Sequence, residues 1–166
     1  MDEFLEQIET AIEANQFYLA LFCCLTLPDI CGAISSSNGE ANGNLYKKWF
    51  DRYVSPKYDG NFTGSSCYAF RCAALHQGRA EHKNLGYKKI VFVDPSTAHG
   101  SILHNNVLDD VLNIDTREFC MDIIQGVRQW ITESTGDTNF KKNYETLLKR
   151  HKGGLEAYIT GVDVFC

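Results

Sequence analysis

Arg71 and His76 stand five positions apart in a segment that is otherwise small or apolar: Cys67, Ala69, Phe70, Cys72, Ala73, Ala74 and Leu75. Placed on a helix, this segment has no conventionally polar side, which is the pattern of a buried helix. A guanidinium cannot shed its charge. Inside such a helix Arg71 must find a carboxylate, a phosphate or several carbonyls. A structural role would give it an acidic partner, with Glu6, Glu9, Glu13 and Asp29 as candidates. His76 would then be a hydrogen-bonded residue near the helix end.

Other groupings carry less chemistry. His99, His104, Asp94, Asp109 and Asp110 cluster in one stretch, and imidazole with carboxylate can bind a divalent metal. Their spacing matches no ligand pattern, so they read as an exposed polar loop, and no metal or other cofactor is expected. The seven cysteines (Cys23, Cys24, Cys31, Cys67, Cys72, Cys120 and Cys166) include no C-x-x-C pair. They read as reduced thiols, mostly buried, in an intracellular protein. Tyr46, Trp49, Phe50 and Tyr53, beside Lys47, Lys48 and Arg52, could stack bases. Aromatics at helical spacing more often build a core. Ser65 and Ser66 read as a helix cap rather than a nucleophile. Phosphate-cradling glycine loops and the nucleophile-elbow motif are absent from the sequence.

The elements that must carry these residues are mostly helical. Residues 2–25 predict one long helix, with Phe4, Leu5, Ile8, Ile12 and Leu19 on or near one face and acids on the other. Pro28 is expected to end it nearby. Residues 35–44 are loop by composition, and 45–54 a short helix. Ser65 or Ser66 should cap the helix carrying Arg71, and Gly78 should stop it. Residues 89–93 read as a strand, with residues 102–104 pairing back on it as a hairpin. Asp115 with Glu118 predicts a capping box, opening a helix that carries Phe119, Ile123, Val127, Trp130 and Ile131. A last helix is expected over 138–149 and a short strand over 157–164. The fold class is mainly α: a single-domain helical bundle over residues 1–166 with a small inserted β-hairpin.

The chain of 166 residues has a net charge of −5, unevenly placed. Residues 1–44 hold seven acids and no Lys or Arg; residues 45–90 hold nine bases against three acids. The middle is a basic island that can attract phosphate despite the acidic total, or simply a solvated face balancing its neighbours. The most apolar run, 17–27, is shorter than the roughly 20 residues a membrane helix needs. The acidic start lacks the basic segment of a signal peptide. A cytoplasmic protein without membrane association is expected.

Arg71 and His76, with four residues between them on an interior helix that follows a long N-terminal helix, resemble the Arg-x4-His motif of HEPN domains. The resemblance covers roughly residues 2–78 and 115–150. It implies an antiparallel helical bundle, a homodimer, and metal-independent cleavage of single-stranded or loop RNA, as in toxin–antitoxin and antiviral systems. It makes Arg71 and His76 the catalytic residues. His76 would transfer a proton, the RNA 2′-hydroxyl would be the nucleophile, and Arg71 would hold the phosphate. Lys47, Lys48, Arg52 and Arg79 would bind substrate. On one helix the pair is about 140° and about 7.5 Å apart, so two copies around a twofold axis are expected to combine them in a shared cleft. The residue after the arginine is Cys72, where catalytic members usually carry a polar residue such as Asn. The alternative is a HEPN-like module that binds nucleic acid or protein without catalysis.

Overall fold

The computed structural model describes residues 1–98 and 103–166. Among them run six α-helices: α1 (Asp2–Glu13), α2 (Phe17–Ser35), α3 (Gly43–Tyr53), α4 (Gly64–Gln77), α5 (Thr116–Ser134) and α6 (Thr138–Tyr144). The fold is mainly α with a small sheet, as the sequence implies. Strands β1 (Lys89–Val93), β2 (Asn106–Leu108) and β3 (Val111–Asp115) separate α4 from α5.

The expected helix over 2–25 is two helices. The break lies at Asn15, whose φ of 55° is left-handed. The N–H of Asn15 bonds back to Ile12 and that of Gln16 to Ala11, a closure that satisfies the last carbonyls of α1. Pro28 does not end α2, which continues through it to Ser35. A proline inside a helix removes one backbone donor. Side chains donate to carbonyls in the preceding turn: Thr26 Oγ1 to Cys23 O at 2.7 Å and Tyr46 Oη to Leu25 O at 3.3 Å. At 19 residues α2 is long and apolar enough to cross a membrane by length and composition, yet half of it is buried inside the fold. Ala20, Cys24, Leu25, Leu27, Cys31 and Ile34 lie in the core, and α1, α3, α4, α5 and α6 all pack on this helix.

Thr63, rather than Ser65 or Ser66, caps α4. Its side chain accepts from the N–H of Ser66, and Ser66 Oγ accepts in turn from the N–H of Thr63. Gly78 ends the helix in the left-handed region, as its sequence position predicts. Helix α4 is seated from two sides. Phe70 meets Phe92 of β1 at 4.9 Å between ring centroids, and Phe92 meets Phe119 of α5 at 5.0 Å. On the other side a Cβ at Gly64 would lie 2.5 Å from Lys47 O and 2.7 Å from Lys47 Cα, so α3 and α4 touch backbone to backbone.

The sheet differs from the expected hairpin. Strand β1 pairs in parallel with β3, which pairs antiparallel with β2, giving the order β1-β3-β2. The hairpin is β2–β3. Its two-residue turn, Asp109 and Asp110, has φ of 50° and 64°, the conformation that suits a tight hairpin. Leu103 and His104 form no strand, and the expected pairing of Ile102 lies outside the described residues. Asp115 does cap α5, accepting from the N–H groups of Arg117 and Glu118, but no return bond from the Glu118 side chain closes the box among the described residues. Helix α6 stops at Tyr144, short of Lys149. In place of a strand over 157–164 there are two minimal ladders, Arg150–His151 with Val164–Phe165 and Gly154–Leu155 with Ile159–Thr160.

Candidate functional site

Arg71 leaves α4 beside α2 and sits between two partners. Its Nη2 lies 2.7 Å from Asp29 Oδ2, with both side chains only 16% exposed. The guanidinium hydrogens do not line up on that oxygen, so the contact is charge attraction rather than an aligned hydrogen bond. Its Nη1 lies 2.6 Å from His76 Nε2. A guanidinium only donates, so Nε2 must carry the lone pair and Nδ1 the ring proton. His76 itself is exposed. Although the wheel sets the two residues about 140° apart, their side chains meet within one copy. The Cα directions do diverge, but the long arginine side chain spans the gap along its own helix.

Asp29 is the structural carboxylate anticipated among four candidates. Of the others, Glu9 forms a two-pronged pair with Arg128 at 2.8 and 2.9 Å. Burial pushes the Asp29 carboxyl up, and the nearby Arg71 and His76 pull it down without cancelling that rise. Burial also works against the Arg71 charge, but Asp29 and the Cys72 thiol more than offset it, so the guanidinium is held more firmly charged. Burial thus prevails at Asp29 and attraction at Arg71. An arginine stays protonated in any case, so the question falls on Asp29.

Two aromatic rings and a second cation complete the site. The Tyr68 ring lies 6.0 Å from the Arg71 guanidinium carbon and 5.3 Å from Lys47 Nζ, and Tyr46 backs it at 5.2 Å. A Cβ at Gly43 would lie 2.8 Å from this ring. Burial, followed by the neighbouring Cys72, raises the Tyr68 hydroxyl. Tyr68 escaped the sequence reading because it looked like one more apolar position of α4; its separation of three residues from Arg71 was the available signal.

The expected substrate-binding residues do not form one surface. Lys47 joins the Arg71 site. Lys48 and Arg52 line a different cleft, where Arg52 pairs with Glu133 at 2.8 Å. Arg79 is exposed just past the end of α4. Much of the basic island is locally balanced: Lys57 pairs with Asp122 at 2.7 Å, and Lys89 approaches Glu81 at 3.8 Å.

Among the described residues, the polar stretch after β1 brings no three metal ligands together. No group of three or more His, Cys, Asp or Glu side chains with metal-binding geometry occurs among the described residues. His104 instead lies against the Tyr58 ring at 5.2 Å, and Asp94 caps a short 3₁₀ turn. Asp109 and Asp110 form the hairpin turn, and His99 lies outside the described residues. The chain matches no protein-family model, no curated protein and no solved structure.

Proposed function

We propose that this chain is a metal-independent RNA endonuclease of HEPN type, cytoplasmic, working as a homodimer in a toxin or antiviral defence system. The observation that supports it most is the 2.6 Å contact between Arg71 and His76, a guanidinium and an imidazole lone pair side by side near the end of α4. In the reaction, the scissile phosphate takes the guanidinium that His76 Nε2 holds in the free chain. The freed lone pair accepts the proton of the RNA 2′-hydroxyl. The 2′-oxygen attacks phosphorus while Arg71 stabilises the charge developing on the phosphate oxygens. The 5′-oxygen leaves with a proton from His76 of the second copy, which enters the step released from its own Arg71 and protonated by water. The product is a 2′,3′-cyclic phosphate, and no step calls on a metal.

A second reading, a non-catalytic module that binds nucleic acid or protein, has its own observation: Asp29 already occupies Arg71. The substrate's sugar separates the two. The nuclease should cut single-stranded or loop RNA and leave both DNA and RNA with a 2′-deoxy sugar at the cut site intact. Salt-sensitive binding of the same RNA panel without any cleavage would establish the binding module instead.

A further inference from the structure

We propose that the loop joining α4 to β1, residues 78–88, is a docking surface for the sugar–phosphate backbone of an RNA strand engaged at His76. The identity of the strand rests on the proposed nuclease; the surface itself rests on charge and on how the loop is held.

Residues 79–89 contain Arg79, Lys83, Lys88 and Lys89 against the single acid Glu81, in a chain whose net charge is −5. All five side chains are exposed. Lys89 approaches Glu81 at 3.8 Å, and Asp110, in the turn of the neighbouring hairpin, accepts from the backbone N–H of Lys88. Arg79, Lys83 and Lys88 form no ion pair among the described residues. Uncompensated cations gathered on one short segment give a local positive potential that attracts a polyanion.

The loop has no helix or strand of its own, yet it is pinned at its start, middle and end. The N–H of Arg79 donates to Ala73 O at 3.0 Å, which closes α4. Leu85, an apolar residue in a polar run, is 2% exposed and sits in the core. Its N–H donates to His82 O, and that of Asn84 to His82 Nδ1. Tyr87 Oη donates to Asn61 O at 2.7 Å, and the N–H of Lys88 to Asp110 O at 3.0 Å. Burying Leu85 leaves the flanking Lys83 and Lys88 outside. A backbone fixed in this way has little freedom left to lose when it binds, which favours affinity.

Position selects the partner. Arg79 follows His76 by three residues, and both are exposed at the same end of α4. A strand whose phosphate is held at Arg71 and His76 thus has the loop beside it. Contacts to phosphates of this kind fix the position of a strand without reading its sequence.

Binding should be measured by fluorescence anisotropy with labelled single-stranded 2′-O-methyl RNA over a series of salt concentrations. This RNA keeps every phosphate and lacks the attacking hydroxyl, so the measurement does not depend on cleavage. Arg79→Ala/Lys83→Ala/Lys88→Ala changes exposed side chains only and should keep its circular dichroism. Losing three phosphate contacts should flatten the slope of log affinity against log salt by about 2, and weaken binding at least about tenfold near 0.15 M salt. Lys141→Ala/Lys142→Ala/Lys152→Ala removes the same charge from exposed positions outside the loop and should bind as the wild type does. A wild type that does not bind overturns the proposal. So does a folded loop variant with unchanged affinity and slope, or an equal loss in the control variant, which would make the effect one of net charge. Competition by poly-glutamate as effective as that by unlabelled RNA would overturn RNA as the partner in favour of an acidic protein segment. Loop-dependent binding by a protein that cuts no natural RNA supports this surface and fails the nuclease alone.

Discussion

At the scale of single residues, the pair Asp29–Arg71 decides what the site is. Its energetics can be read from pH. Burial raises the Asp29 carboxyl above its ordinary range. The folded state then holds more protons than the unfolded one across the interval from the ordinary carboxylate value up to the folded value. The stability Asp29 contributes is complete below that interval and is lost as pH rises through it. Asp29→Asn removes this titration. The stability difference, wild type minus Asp29→Asn, should therefore fall as pH rises through the weakly acidic range and be flat on either side, as followed by thermal melts at a series of pH values. A difference that rises with pH would mean that attraction to Arg71 outweighs burial and holds Asp29 ionised. The sequence shows why this residue matters without naming it. A guanidinium among Phe70, Ala73 and Ala74 demands a carboxylate, and four acids could have supplied it. Only the continuation of α2 past Pro28 brings Asp29 opposite α4. The contact with His76 was not legible, because a helical wheel records where side chains start and not how far an arginine reaches.

At the scale of elements, α4 is placed by its cap and by its seat on α3. Thr63→Ala removes the acceptor for the Ser66 N–H and should cost about 1 kcal/mol in denaturant unfolding. Gly64→Ala should cost more, about 1–3 kcal/mol, because the added Cβ meets the Lys47 backbone rather than a movable side chain. It should also shift Lys47 relative to Tyr68 and Arg71. A Gly64→Ala protein as stable as the wild type would refute the close packing of α3 on α4. The helices themselves were readable from apolar spacing, and so were the stop at Gly78 and the cap at Asp115. Junctions that depend on tertiary partners were not. Pro28 looks like a terminator until Tyr46 and Thr26 supply donors to the turn before it. Parallel pairing of β1 with β3 is a long-range choice, and alternation within β1 says nothing of its partner. Asn15 is the exception: an asparagine at a left-handed helix end is a recognisable signal, here hidden inside a run of apolar spacing.

At the scale of the whole molecule, the proposed reaction needs a second copy to supply the acid for the leaving oxygen. Light scattering at micromolar concentration should give a mass twice that of the 18.7 kDa chain. A strict monomer would leave the 5′-oxygen without its proton donor and would favour the binding-module reading. The assembly and the substrate are the least legible features of the sequence, because acidic residues flank the basic island and ion pairs within the chain consume much of it. The reaction itself is the most direct test. Purified wild-type protein and His76→Ala should be incubated with an RNA panel in EDTA, with circular dichroism confirming that both are folded. His76 is exposed, so its removal should leave stability within about 0.5 kcal/mol. Loss of a proton-transfer group typically costs about 10²–10⁴-fold in rate. Cleavage by the wild type in EDTA, ending in a 2′,3′-cyclic phosphate and reduced at least about 10²-fold in folded His76→Ala, is the predicted result. Undiminished cleavage by His76→Ala, or cleavage by the wild type that disappears with EDTA, would contradict it.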